Sequence, residues 1–261
     1  MRSCRSVWRK SETNSTACLS GIAAVQIGVR SVNAEALKQS LFDRLRETGA
    51  KLMGVGDLRG IVDGGLTTGV SVAVPVPRHI VRDLQTAPTR EYYDAYHALN
   101  AQLDEIVECG AAFLEKNGFQ AYANTTKVVK KDENWCTPLP HKTVATRAGL
   151  GWIGKSCLLV TPQYGGAVRI SSLLTDAPLP ADRPVNASRC GGCSVCVDNC
   201  PGEALTGTLW TVGTQRADIL RKEVCKKTQI ARMKRATGIE VDLCGLCFAV
   251  CPYTQRYLRE G

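Results

Sequence analysis

The chain has no run approaching eighteen consecutive apolar residues, so no segment reads as a membrane-spanning helix. Its N-terminus, MRSCRSVWRKSETNSTACLS, lacks the clean apolar block of a secretory signal. Ser20 and Gln26 interrupt the mildly apolar stretch from Cys18 to Val29. No two arginines are adjacent, which excludes a twin-arginine signal. Charged residues are only 22% of the 261 and apolar residues 44%, a balance that excludes disorder and permits a packed core. Residues 1–31 read as a poorly ordered extension, and the remainder as a protein of the reducing cytoplasm with no membrane partner.

Cysteine and positive charge are what the chain holds in excess. Of thirteen cysteines, eight lie between positions 190 and 251. A disulfide framework suits short secreted chains that cannot bury a core, and this chain is long enough to bury one. Lys plus Arg total 33 against 24 acidic residues, for a net charge of +9. Residues 215–261 carry ten basic and five acidic side chains. That surplus permits nucleic acid or an acidic redox partner and specifies neither.

Strands alternate with helices up to about residue 176, which implies an α/β layer. Asn33 is suited to cap a helix whose Leu37, Leu41 and Leu45 recur every four residues up to Gly49. Lys51–Val55 and Val70–Val76 read as short strands, the second ending at prolines that cannot donate in a ladder. A long helix is expected from Arg90 to Asn117, with Asn117-Gly118 as its stop. Further strands are expected at Gln120–Ala123, Cys157–Thr161 and Arg169–Leu174, and a helix at His141–Ala148. The polar segment 124–140 reads as a loop, and PLPADRPVN (178–186), with three prolines, as a linker.

Beyond the linker, cysteine spacing sets the expectation. Cys190, Cys193, Cys196 and Cys200-Pro201 form C-x2-C-x2-C-x3-C-P, and Cys244, Cys247 and Cys251-Pro252 form C-x2-C-x3-C-P. Thiolates at i, i+3 and i+6 wrap one cubane in a tight loop, and the fourth cysteine of such a run ligates the other cluster. The rule assigns Cys190, Cys193, Cys196 and Cys251 to one 4Fe–4S cluster. Cys200, Cys244 and Cys247 belong to the second, whose fourth ligand, by counting, is Cys225. Paired zinc knuckles fit a triple C-x2-C-x2-C run badly. Cys109 and Cys157 read as core. Cys136, in the polar loop, could be a redox thiol or a ligand.

Residues 149–156, GLGWIGKS, satisfy both a phosphate-loop pattern and a dinucleotide-loop pattern. Both motifs need a strand before the loop and a helix after it. Here the expected order is the reverse, so a nucleotide triphosphatase is disfavoured. Two readings stay open: a glycine-rich packing turn, or a cradle in which Gly149, Gly151, Gly154 and Lys155 approach a flat or anionic cofactor. His141 and Ser156 would then orient its polar edges.

HKTVATRAGLGWIGKSCLLVTPQYGGAVRISSLLTDAPLPADRP, followed by CGGCSVCVDNCPGEAL, resembles the epoxyqueuosine reductase family and its relatives, the corrinoid reductive dehalogenases. The resemblance spans about 138–253 strongly and 33–123 more loosely. It implies a cobalamin-binding α/β domain over 32–177 and a ferredoxin-like double-cluster domain over 178–261, with the clusters feeding electrons to the cobalt. The lone cysteine between the two motifs also occurs in the family, which supports Cys225. Two departures stand out. The family's catalytic aspartate falls at Trp135, with Asp132 the nearest carboxylate, and the chain stops at Gly261 without the helical repeats that many members use to grip tRNA. No catalytic residue is assigned, although Tyr92, Tyr93 and Tyr96 are available. The expected partners are an electron-donor protein and either tRNA or a small-molecule substrate. A plain electron carrier, or an RNA-binding protein with structural clusters, are the alternatives.

Overall fold

The computed structural model describes residues 33–130, 132 and 137–260. Helix α1 (Ala34–Glu47) opens at Asn33, whose Oδ1 accepts from the Ala36 amide at 3.1 Å, and it buries Leu37, Leu41 and Leu45. Strands β1 (Leu52–Asp57) and β2 (Thr68–Pro75) follow, then a short helix α2 (Arg78–Asp83) that the periodicity does not announce. Helix α3 (Arg90–Lys116) starts where Thr89 Oγ1 accepts from the Tyr92 amide at 3.0 Å. It stops at Asn117, before Gly118 in the left-handed conformation.

Strand β3 (Ala121–Ala123), helix α4 (His141–Arg147), strands β4 (Trp152–Ile153) and β5 (Leu159–Val160), and strand β6 (Val168–Thr175) complete this part. The expected strand from Cys157 to Thr161 shortens because Cys157 takes a positive φ of 60° and Thr161 pairs back to Gly165. The main sheet has the order β1-β2-β6-β3 and is antiparallel at every pairing. One reason is that residues 58–67, between β1 and β2, are too few for the crossover that a parallel pair requires. The fold is therefore a mixed helix and sheet architecture, as expected, with antiparallel rather than parallel strands.

The register sorts the two faces. Val70 and Leu173 are cross-strand partners and pack with Leu41, Leu45, Ile106 and Leu114 beneath α1 and α3. Ala73 and Ile170, also partners, face the other way, against Ala145, Ala148 and Leu159 of α4 and the β4–β5 hairpin.

The cysteine-rich part holds α5 (Val195–Asp198), α6 (Arg216–Ile219), α7 (Lys222–Thr237), α8 (Leu246–Ala249) and α9 (Pro252–Arg259). The segment 178–186 has no helix or strand, yet it is tied down. The Asp182 carboxylate accepts from Lys38 Nζ and from the Val55 amide, each at 2.7 Å. A third core cluster joins the two parts: Met233, Phe248, Ala249 and Leu258 pack on Val76, Ile80, Leu84 and Tyr92. Among the described residues no helix is long and apolar enough to cross a membrane. The extension expected over 1–31 lies outside the described residues.

Candidate metal centre

The two cysteine motifs fold alike. The Cys193 amide donates to the Cys190 carbonyl at 3.0 Å and the chain enters α5; Gly245, with φ of +80°, turns the second motif into α8. The short helices pack against each other, and Pro252 opens α9 at a position where its missing N–H costs nothing. Cys225 reaches the motifs from the first turns of α7, its amide bonded to the Arg221 carbonyl at 3.0 Å.

Two groups of thiols result, each drawing on both motifs. Burial pushes the Cys196 thiol up to about 12, reinforced by neighbouring Cys251, Cys190 and Cys193. Cys251 is likewise raised, by burial first and then by Cys190 and Cys193, against the lowering effect of the Tyr253 and Thr254 amides. Cys225 is raised to about 11 by burial, then by Cys200, Cys244 and Cys157. Cys247 is raised by burial, Cys244, Cys196, Cys225 and Cys200. Buried neutral thiols crowded together hold their protons, and a bound metal centre replaces those protons with positive charge.

The space between the thiols is lined by cysteines from both motifs. Cys190, Cys193, Cys196, Cys247 and Cys251 all border a cavity of about 250 Å³. No group of three or more His, Cys, Asp or Glu side chains among the described residues is placed to hold a single metal ion. The amide of Ala204 donates to Cys200 Sγ at 3.3 Å, the kind of N–H···S contact that accompanies cluster ligation.

The GLGWIGKS segment lies against this centre, with α4 before it, β4 within it and β5 after it, the reverse of a phosphate loop. Gly149 and Gly151 meet protein backbone: a β-carbon on them would stand 2.8 Å from the Arg183 carbonyl oxygen and 2.1 Å from that of Val160. Gly154, Lys155 and Ser156 line the cavity instead, and a β-carbon on Gly154 would lie 3.6 Å from Cys190 Sγ. The four residues are thus split: two serve close packing, two face the thiols. Gly149 and Leu150 also border a second cavity, of about 370 Å³, with Phe42, Met53 and Arg183.

Several neighbours of the centre carried no sequence signal. Arg189 and Tyr253 line the cavity, and the Trp152 and Tyr253 rings meet edge to face at 4.9 Å. Cys157 is buried core, as expected, but also close enough to raise Cys225, and Lys142 Nζ donates to its carbonyl at 2.6 Å. Cys109 is only half-buried, beside Thr48. Cys136 and Trp135 lie outside the described residues, and Asp132 is exposed.

A second polar group sits where β6 runs beyond β3. His141 Nδ1 lies 2.9 Å from Ser172 Oγ, which also accepts from Asn124 at 3.3 Å. Arg169 donates to Asn100 Oδ1 at 2.8 Å and stacks 4.1 Å from the Tyr96 ring centroid. Burial lowers His141 to about 4, with Arg169 lowering it further and Asp104 opposing. Tyr92, between this group and Cys247, is raised by burial.

Residues 189–254 match the family described as the 4Fe–4S double cluster binding domain. This part of the chain is a double 4Fe–4S cluster domain. Among curated relatives, an epoxyqueuosine reductase of Synechococcus sp. (strain CC9605) is 38% identical over 126 residues, covering 48% of this chain and 39% of its own. One of Pseudomonas aeruginosa is 30% identical over 161 residues, covering 61% of this chain and 41% of its own. The chain thus spans about two-fifths of the length of these relatives. A solved catabolic reductive dehalogenase, in complex with 3-bromo-4-hydroxybenzoic acid, superposes with a TM-score of 0.68 at 16% identity, over 85% of this chain and 32% of that one. An epoxyqueuosine reductase bound to an epoxyqueuosine-modified tRNA stem loop gives 0.57 at 20% identity, over 84% and 66%. The double cluster domain therefore sits in a chain that is epoxyqueuosine reductase-like in sequence and shares its fold with both groups, as RAGLGWIGK and the two motifs implied.

Proposed function

We propose that the chain is a cytoplasmic iron–sulfur oxidoreductase of the epoxyqueuosine reductase kind, with a cofactor-binding domain over 32–177 and a ferredoxin-like domain over 178–261. Cys190, Cys193, Cys196 and Cys251 hold one cluster, and Cys200, Cys225, Cys244 and Cys247 hold the other. Bound clusters supply one-electron transfer. The chain's own residues hold the thiolates, and Tyr253 lines the first cluster's cavity with its ring packed edge to face on Trp152.

One observation carries the reading. Two thiol groups, each built from both motifs, are locked by a shared apolar core onto a sheet domain with its own buried polar group. Electrons come from a donor protein and pass to a corrinoid or directly to substrate, either tRNA or a small molecule. The corrinoid is proposed on likeness, since one fold neighbour is described by its B12-dependent dehalogenation, and no residue is assigned to it. The aspartate-to-Trp135 departure favours a second reading, an electron carrier that uses the sheet domain for docking.

Absorption spectra of anaerobically purified protein, with and without cob(II)alamin, test the proposal. Broad cluster absorption, about eight iron atoms per chain and a shifted corrinoid spectrum are expected. Clusters that never perturb the corrinoid spectrum support the carrier. A chain that takes up no iron under reconstitution overturns both readings.

A further inference from the structure

Lys155 is a buried residue whose cation has no protein partner among the described residues. The residue is 8% exposed and lines the cavity bordered by Cys190, Cys193, Cys196 and Cys251. Among the described residues it makes no hydrogen bond and no ion pair. Other half-buried lysines do find partners: Lys142 meets the Cys157 carbonyl at 2.6 Å, and Lys38 meets Asp182 at 2.7 Å. The position of Lys155 is imposed by the β4–β5 turn. The Gly154 amide donates to the Leu158 carbonyl at 2.9 Å and the Cys157 amide to the Gly154 carbonyl at 2.8 Å, pinning the residues on either side.

A cation set in the wall of a cavity favours a negative group bound inside it. Four thiolates around an iron–sulfur core carry net negative charge, and reduction adds one electron more. Arg189 also lines the cavity, but it is exposed and lies 5.5 Å from the Trp152 ring, where water and salt screen its charge. Lys155 is the cation inside the wall, where screening is weakest.

We propose that Lys155 is the counter-charge of the cluster held by Cys190, Cys193, Cys196 and Cys251, and that it raises this cluster's reduction potential by favouring the reduced form. The proposal rests on the cluster reading above, and the test separates the two. Wild-type, K155Q, K155M and K155R proteins are reconstituted anaerobically, assayed for iron and sulfide, and titrated redox-potentiometrically by visible absorption and electron paramagnetic resonance. In the neutral variants, one of the two reductive waves is expected to shift so that the oxidised-to-reduced ratio at fixed potential rises about tenfold, about 59 mV for a one-electron couple. The other wave and the K155R waves stay near wild-type values.

A neutral variant with full iron content and unmoved waves, or with both waves moved equally, overturns the assignment while leaving the clusters in place. If neither neutral variant retains iron at this centre but K155R does, the same need for charge is shown. Iron loss in K155R as well assigns the side chain to packing and overturns the proposal. A wild-type chain that binds no iron fails the cluster reading itself.

Discussion

Gly165 lies so close to Thr254 that a β-carbon on it would stand 2.2 Å from the Thr254 amide nitrogen, while Thr254 Oγ1 accepts from the Gly166 amide at 3.0 Å. This contact fastens the loop before β6 to the first turn of α9, just after Cys251. Gly165 also has a φ of +58°. Gly165→Ala combines overpacking with a left-handed backbone and should cost about 2 kcal/mol or more. Denaturant unfolding of the variant checks this, and a midpoint equal to wild type refutes it. Iron should be lost first from the cluster that includes Cys251.

Cys225 and Cys157 are neighbours with different expected roles. Cys225→Ser should lower iron from about eight to about four atoms per chain, since one cubane loses its fourth thiolate. Cys157→Ser should leave iron unchanged, because that side chain belongs to the apolar core beneath α4. The reverse pattern of iron contents would move the fourth ligand from α7 to the β4–β5 hairpin.

His141 makes stability depend on pH. Its folded pKa of about 4 lies below the unfolded value of 6.5, because the ring is buried and faces Arg169, with Asp104 only partly offsetting. Between those values the unfolded chain takes up a proton that the folded one refuses. Stability is therefore full above about pH 6.5 and falls as pH drops toward 4, by on the order of 3 kcal/mol. His141→Gln should flatten that window in a series of denaturation curves. An unchanged slope would show that other groups dominate acid sensitivity.

Helix α7 carries the basic surplus. Lys227, Lys234 and Arg235 are exposed, whereas Arg232 is anchored to the Thr86 carbonyl at 3.1 Å and Lys234 is paired with Glu240. If this face grips RNA, bulk tRNA is retarded in gels at low salt and released as salt rises. Lys227→Glu with Arg235→Glu should then reduce the slope of log affinity against log salt by roughly one to two. Absence of retardation by the wild-type protein removes the RNA role and leaves a solvated helix face.

Much of the fold could be read locally. Asn33 and Thr89 cap helices through atoms three residues away, Asn117-Gly118 stops α3 where expected, and the C-x2-C spacings set their own turns. Such features depend on a few neighbouring residues, so their spacing along the chain determines them. The sense of strand pairing, the tying of 178–186 to Val55 and Lys38, and the core that joins α2 to α8 and α9 depend on contacts between distant residues. The same holds at the centre. Spacing alone grouped the seven motif cysteines, but only the folded chain brings Cys225 from α7, and Cys157 from the hairpin, beside the second group. GLGWIGKS was legible as a turn between a helix and a strand. Its split into two glycines pressed on backbone and a lysine facing thiols was decided by the approach of Val160, Arg183 and Cys190, because burial and close contact arise only when separate elements meet.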